Sequence, residues 1–234
     1  MKVKELIQRI QSLYSKGVES RSSRLSNRHI YSKIKTVRTR LMAQEVRKKR
    51  KLSEWNYQVL PCIELIKVEA HDCPCIPPVG CKILRSKYEI PEILMGYNTD
   101  QIQFVSNIDR TKKIDQISIN AVNSFKGNKY TSKHLGFFLH NKYLYIVASD
   151  LNLKFVMLKA IFEDPVEADK FKNYCDICEN CPVCEDPLEL EFHIDNELIE
   201  PLIEISLNEL VVMFSSSIED LTNNSRDSLK EQSK

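Results

Sequence analysis

The sequence has few glycines: five in 234 residues, and none of them are clustered. Phosphate-binding loops and dinucleotide-binding turns need glycines at fixed spacing, and neither G-x-x-x-x-G-K-[ST] nor G-x-G-x-x-G occurs. The G-x-S-x-G turn of hydrolases is also missing. The five histidines are scattered, which is more typical of single surface or core residues than of a ligand set. These absences disfavour an enzyme, and we assign no catalytic residue.

Long apolar runs are missing as well. No run of about 18 apolar residues occurs, so no membrane contact is expected. The N-terminal segment MKVKELIQRIQSLYSKG lacks the uninterrupted apolar core of a signal peptide. The composition, 42% hydrophobic and 28% charged, is ordinary for a globular protein. We therefore expect a chain that folds in the cytosol of its host around a core of its own.

Charge is segregated along the chain, although the net charge is only +2. Residues 1–55 carry 16 Lys/Arg and 4 Asp/Glu, for a net charge of +12. Residues 163–234 carry 5 and 19, for −14, and the segment between them stands at +4. A basic end can bind nucleic acid. A chain with two opposite ends can also bind copies of itself head to tail, and this second option explains the acidic end too.

The first segment predicts a helical hairpin. Apolar residues recur at three- and four-residue intervals from Val3 to Tyr14, which is typical of an amphipathic helix, and Gly17 ends it. A polar linker leads to a second helix, for which Ser26 or Asn27 is the expected N-cap. The apolar stripe of this second helix is formed by Ile30, Tyr31, Ile34, Val37, Leu41 and Met42.

From Tyr57 onward, short segments rich in Ile, Val and aromatic residues are bounded by turn-forming residues, as strands are. The segment LGFFLHNKYLYIVAS predicts a β-hairpin that turns near His140–Asn141–Lys142. We therefore predict an α+β fold with a β-rich, sandwich- or barrel-like middle. The predicted divisions are a basic helical hairpin (1–55), a β-rich domain (56–162), a Cys-containing loop with a C-terminal helix (163–214) and a polar tail (215–234).

Four cysteines, Cys175, Cys178, Cys181 and Cys184, repeat at three-residue intervals in CDICENCPVC. Zinc takes four thiolate or imidazole ligands in a tetrahedron, and Cys-x2-Cys is the usual half-site. Two half-sites stand back to back here, whereas structural zinc sites usually separate them by about a dozen residues. The run is therefore a candidate metal site with strained geometry.

A second cysteine group lies in CPCIPPVGC, which contains Cys73, Cys75 and Cys81, with Cys62 and His71 nearby. It would supply missing ligands if the two loops meet. The alternative is that small buried thiols, or disulfides formed after release from the cell, pin two Pro-rich loops. Redox catalysis is disfavoured because no thioredoxin-like βαβ pattern surrounds the motif. Free thiols, disulfides and a structural zinc stay open.

The second helix carries basic residues on the faces away from its apolar stripe and runs into RKKRK. Such residues can contact phosphates, or they can form a solvated face or a seam against another subunit. Because an apolar stripe must pack along its length, we expect protein contact as the main role. Contact with DNA, without sequence preference, is the other option.

Four stretches carry a resemblance to a known family: residues 23–68 (SRLSNRHIYSKIK and onward), 73–91 (CPCIPPVGCKILRSKYEIP), 190–210 (LEFHIDNELIEPLIEISLNEL) and 218–228 (IEDLTNNSRDS). Through them the chain resembles structural proteins of tailed bacteriophages of the crAss-like group. In particular, it is similar to the ring proteins that build the neck or tail below the portal.

The resemblance implies a virion protein that forms a twelve-fold ring on the portal, continues the DNA channel and docks further tail components. The implied partners are its own copies, the portal protein, other tail or ring proteins and the packaged DNA. The candidate portal- or DNA-facing residues are Arg28, Lys33, Lys35, Arg38, Arg40, Arg47, Lys48, Lys49, Arg50 and Lys51. The candidate subunit-interface residues are Glu197, Glu200, Glu204 and Glu209. The alternative function is a cytosolic nucleic-acid-binding protein with a structural, cysteine-bound zinc.

Overall fold

A computed structural model of the chain describes residues 1–16, 25–48, 52–69, 82–95, 101–131, 134–147, 152–171 and 186–231, with the backbone alone for residues 82, 126–127 and 214–231. The chain divides into two compact units. One contains Met1–Lys51 together with Asp186–Lys234, and the other contains Leu52–Glu185. The two ends of the chain, predicted as separate segments, therefore belong to one unit.

The first unit is built from three helices, α1 (Val3–Tyr14), α2 (Asn27–Arg47) and α5 (Asn196–Glu231). Ser26 is the N-cap of α2, because its hydroxyl accepts a hydrogen bond from the backbone N–H of His29 at 3.3 Å. The predicted apolar stripe of α2 is buried at Ile30, Ile34, Val37, Leu41 and Met42. Helices α1, α2 and α5 pack on one another in all three pairings, which gives each apolar stripe a place to be buried.

Helix α5 buries Leu202, Ile203 and Leu210 and continues to Glu231. The sequence predicts a polar tail from Ser215, and the structure extends the helix through it. A polar segment can prolong an existing helix because propagation adds one backbone hydrogen bond per residue once the costly first turn has formed.

The second unit contains a closed barrel of seven strands in the described residues. The strands are β1 (Gln58–Glu69), β2 (Lys82–Ser86), β3 (Ile102–Asn107), β4 (Lys113–Gln116), β5 (Gly136–His140), β6 (Tyr143–Val147) and β7 (Phe155–Ala160). Their order around the barrel is β1-β2-β6-β5-β4-β3-β7, and only β4 and β5 run parallel. The register of β1 against β7 shifts between Leu60 and Ile63, where Pro61 has no N–H to donate to the ladder.

The barrel core is made of branched and aromatic side chains from its strands, and short helices lie beside it. Asp164 caps α4 (Pro165–Asp169) by accepting the N–H of Val166 at 3.0 Å. Helix α3 (Val122–Gly127) contributes Val122 to a second cluster with the stacked rings of Phe138 and Tyr145. The predicted hairpin turns at Asn141 and Lys142, which have φ of 48° and 64°, as a type I′ turn requires.

The predicted fold class is confirmed: the chain has N-terminal helices, a β-rich middle and a C-terminal helix. The β-rich middle is a closed barrel, one of the two forms that the strand pattern predicts. None of the helices in the described residues combines the length and the hydrophobicity that a membrane-spanning helix needs.

Candidate functional site

One acidic side chain of α5 joins two basic side chains of α2. The Glu209 carboxylate accepts hydrogen bonds from Lys33 Nζ at 3.0 Å and Arg40 Nη2 at 2.6 Å. These bonds from Lys33 and Arg40 hold the pKa of Glu209 below its ordinary value. Two residues predicted to face portal or DNA are therefore paired, within one unit, with a residue predicted to face a neighbouring subunit.

Basic side chains at the N-terminus and in α1 also form ion pairs with acidic side chains of the C-terminal segment. Arg9 Nη2 lies 2.6 Å from an oxygen of Glu200. Lys2 and Lys4 both reach Glu189, with Nζ–O distances of 3.0 and 2.9 Å. Hydrogen bonds from Lys4 and Lys2 lower the pKa of Glu189, and the bond to Glu189 raises the pKa of Lys4. Arg9, Lys2, Lys4 and Glu189 were not among the predicted site residues, although the opposite net charges of the two chain ends were a signal for their pairing.

Folding therefore removes most of the charge asymmetry seen along the sequence. The helical unit carries 19 Lys/Arg and 15 Asp/Glu, for a net charge of +4. The barrel unit carries 15 Lys/Arg and 17 Asp/Glu, for a net charge of −2. The basic and acidic ends thus do not form two separate poles on separate units.

Arg38 is placed differently from the prediction that it faces portal or DNA. Its exposed fraction is 0%. Its Nε donates a hydrogen bond to the carbonyl oxygen of His193 at 2.8 Å, and its guanidinium carbon lies 5.7 Å from the ring centroid of Phe192. Arg38 follows Ile34 and precedes Met42 by four residues, so it lies on the buried face of α2. It is a structural residue of the helical unit and is not part of its charged surface.

The other predicted basic residues are distributed along α2. Arg28 and Arg47 are exposed, and Lys35 is half-buried. Lys48 is exposed and pairs with Glu45 at 2.7 Å. The remaining predicted cations, Lys49, Arg50 and Lys51, lie outside the described residues.

Two of the four acids predicted to face a neighbouring subunit form ion pairs within their own unit, and the other two form none with a described residue. Glu200 and Glu209 are held by basic residues of their own unit. Glu197 and Glu204 are exposed, and no ion pair joins them to any residue that the structure describes. The sequence pattern could not separate the two pairs, because that requires knowing which face of α5 meets α1 and α2.

The predicted zinc run, Cys175 to Cys184, lies outside the described residues, as do Cys73, Cys75 and Cys81. Cys62 is buried in β1 and disulfide-bonded, so its sulfur is not available to a metal. Among the described residues, no three His, Cys, Asp or Glu side chains converge as a metal site would require.

The barrel has an open cleft beside the β5–β6 turn, lined by Glu92, His140, Lys142 and Glu163 among apolar residues. A nucleophilic lysine needs a lowered pKa. The hydrogen bond between Lys142 Nζ and Glu92, at 2.8 Å, instead raises the pKa of Lys142. This lysine is therefore held in its charged, unreactive form.

The fold defines a class: an α+β protein with a helical unit and a seven-stranded barrel unit. In the residues that the structure describes, charged side chains of the helical unit form ion pairs such as Glu209 with Lys33 and Arg40. The sequence matches the family model described as phage tail ring protein 2 over residues 5–229. The chain therefore belongs to this family of tail ring proteins of crAss-like phages, and the predicted resemblance is confirmed. No curated protein matches it. Membership implies a structural component of the virion tail that assembles with other tail parts.

Proposed function

We propose that the chain forms a closed, twelve-fold ring in the portal–tail connector, continues the DNA channel and docks further tail components. The observation that carries this proposal is the family match over residues 5–229, which spans both compact units. The whole chain, and not one unit of it, is therefore the ring subunit. Assembly in the host cytoplasm before incorporation into the virion belongs to the same proposal.

A closed ring needs two different patches on each subunit, because every copy contacts one neighbour on each side. Surface groups without partners in their own chain are the best sources of such patches. Glu197 and Glu204 on α5 meet this condition within the described residues, whereas Glu200 and Glu209 do not. We therefore propose Glu197 and Glu204, and not Glu200 or Glu209, as the subunit-interface residues of α5.

The same condition reduces the set of basic residues that we propose to face the portal or DNA. Arg28 and Arg47, at opposite ends of α2, are the predicted basic residues that are exposed and have no ion pair among the described residues. Between them, Arg38 is buried and both Lys33 and Arg40 are paired with Glu209, so a continuous track of unpaired cations along α2 is not formed. This favours contact with a protein partner at the ends of the helix over a DNA-binding helix face.

The alternative, a nucleic-acid-binding protein with a structural zinc, is not favoured. The family is structural, and two cations of the basic helix, Lys33 and Arg40, are engaged by Glu209. An enzymatic role is not favoured either, because the chain belongs to a family of structural tail ring proteins.

The test is the assembly state of the purified full-length chain, by native mass measurement and negative-stain microscopy. We expect closed rings of a single copy number, and larger complexes when the portal protein is added. Arg28→Glu with Arg47→Glu is expected to weaken portal capture about tenfold while leaving the ring intact. Lys16→Glu, an exposed cation at the end of α1, is the matched control. A chain that stays monomeric at every concentration would contradict the proposal.

A further inference from the structure

The outward face of α5 is a continuous exposed stripe. Its exposed residues follow one another by three or four positions, which places them on one helix face: Glu197, Glu200, Glu204, Asn208 and Val211. Glu197 and Glu204 stand seven residues apart, about 10.5 Å along the axis. Beyond them the stripe ends at an apolar residue, Val211, whose side chain is 44% exposed. The stripe is therefore acidic at one end and apolar at the other.

The turn between β3 and β4 is an ordered, basic projection of the barrel. Asn107 organises it: its Oδ1 accepts the backbone N–H of Lys112 at 2.9 Å, and its Nδ2 donates to Thr111 Oγ1 at 2.8 Å. The backbone carbonyl of Asn107 also accepts the N–H of Arg110 at 3.0 Å. Ile108, Arg110, Lys112 and Lys113 are all exposed on this turn. Because these three hydrogen bonds hold the turn together, its side chains are presented in a defined arrangement.

Arg110 adopts a left-handed backbone conformation, with φ of 55°. For a residue with a Cβ this conformation costs about 1–2 kcal/mol relative to the usual region, and glycine would adopt it freely. The hydrogen bond from the Arg110 N–H to the carbonyl oxygen of Asn107 is one of those that hold this turn. Lys142, the comparable residue of the β5–β6 turn, forms an ion pair with Glu92. No ion pair joins Arg110 to a residue that the structure describes, and its side chain is exposed.

The charges of the turn fit a protein surface better than a phosphate backbone. Asp109 and Asp115 flank the three cations, so residues 109–115 have a net charge of only +1. Binding to DNA by counterion release favours an uninterrupted set of cations. A mixed turn with an exposed isoleucine instead resembles one side of a protein interface, where charged groups surround an apolar contact.

We infer that, in the ring, the β3–β4 turn of one copy docks on the outward stripe of α5 of the next copy. This inference rests on the proposed ring function. Arg110 and Lys112 then face Glu197 and Glu204, and Ile108 lies at the apolar end of the stripe near Val211. Two different patches of one chain meet, as a closing ring demands. A turn alone covers only part of the roughly 1,000 Å² that a stable interface buries, so its role is to set the register between subunits.

The experiment is a charge reversal with rescue in the full-length chain. Lys112→Glu and Glu204→Lys, each alone, place like charges opposite one another and are expected to raise the concentration needed for ring assembly at least about tenfold. The double variant restores opposite charges and is expected to recover most of that loss. Lys154→Glu, another exposed barrel cation, is the matched control and should assemble like the unmodified chain. Thermal unfolding of each variant checks that the fold is intact.

The outcomes separate this inference from the proposed function. An unmodified chain that never assembles overturns the ring itself. Rings that form equally well with either single reversal, or a double variant that is no better than the singles, overturn the docking of the turn on α5 and leave the ring function standing. Loss of salt-dependent binding to a DNA duplex in Lys112→Glu, with assembly unchanged, would make the turn a DNA contact and also overturns the inference.

Discussion

Replacing Arg38 by alanine is expected to unfold the helical unit more easily, although the residue was predicted from sequence to lie on a binding surface. The side chain is 0% exposed, and truncating a large buried side chain to alanine typically costs about 2–5 kcal/mol. The charged hydrogen bond from Nε to the carbonyl oxygen of His193, at 2.8 Å, is lost as well, and such bonds contribute about 1.5–3 kcal/mol. The two effects overlap, so we expect a loss of about 3–5 kcal/mol in the free energy of unfolding.

A second variant separates packing from hydrogen bonding. Arg38→Met keeps an unbranched stem beside Phe192 but cannot donate to His193, so the expected loss falls to about 1–2 kcal/mol. Arg28→Ala, an exposed arginine on the same helix, is the control and should stay within about 0.5 kcal/mol of the unmodified chain. Urea unfolding followed by helical circular dichroism measures all three. If Arg38→Ala is as stable as Arg28→Ala and loses only portal or DNA binding, the buried placement is refuted.

Two further predictions concern contacts that the structure describes, and a third concerns the cysteine run. Glu209→Gln should lower the free energy of unfolding by about 1 kcal/mol at neutral pH. Because the hydrogen bond from Lys33 lowers the pKa of Glu209 in the folded state, this contribution is present above the unfolded pKa of about 4.3 and is lost as the pH falls through the folded pKa. The urea unfolding curves of Glu209→Gln and the unmodified chain should therefore converge in acid. Ser86→Ala leaves the Leu144 N–H, now 3.1 Å from Ser86 Oγ, without its acceptor in the barrel and should cost about 1–3 kcal/mol in the same assay. If the cysteines of residues 175–184 are thiols or disulfides, purified protein should contain far less than one zinc per chain, and a chelator should leave its unfolding curve unchanged. About one zinc per chain, together with unfolding by a chelator, would instead establish the metal site.

The local elements were predictable because each depends on a short stretch of chain. The three- and four-residue spacing from Ile30 to Met42 determines which face of α2 can be buried, whatever it packs against. The Asn141–Lys142 turn follows from residues that tolerate positive φ between two apolar segments. The closure of the barrel was not predictable from the same signals. Strand order depends on pairings between distant segments, such as β1 with β7, which no local pattern encodes.

The candidate site was harder to predict, for two different reasons. Arg38 was assigned to the surface by residue type, yet its four-residue spacing from Ile34 and Met42 places it on the apolar face, and spacing was the better guide. The pairing of Glu209 with Lys33, in contrast, had no local signal at all. It depends on the C-terminal helix returning to the N-terminal helices, which the sequence shows only as two ends of opposite charge.

Helix α5 packs on the N-terminal helices, and the energy of this packing indicates what the opposite charges of the two chain ends contribute. Bringing together two ends separated by the whole barrel costs several kcal/mol of loop-closure entropy, which grows with the logarithm of the length closed. Exposed ion pairs such as Arg9–Glu200 are screened by water and contribute little, so the ion pairs cannot offset that cost alone. Buried residues such as Leu6, Ile34 and Leu202 must supply most of it. The ion pairs therefore act mainly by selecting which faces of the helices meet. Two exposed acids, Glu197 and Glu204, form no ion pair within the part of the chain that the structure describes, and this is why we propose them for the contact with a neighbouring copy.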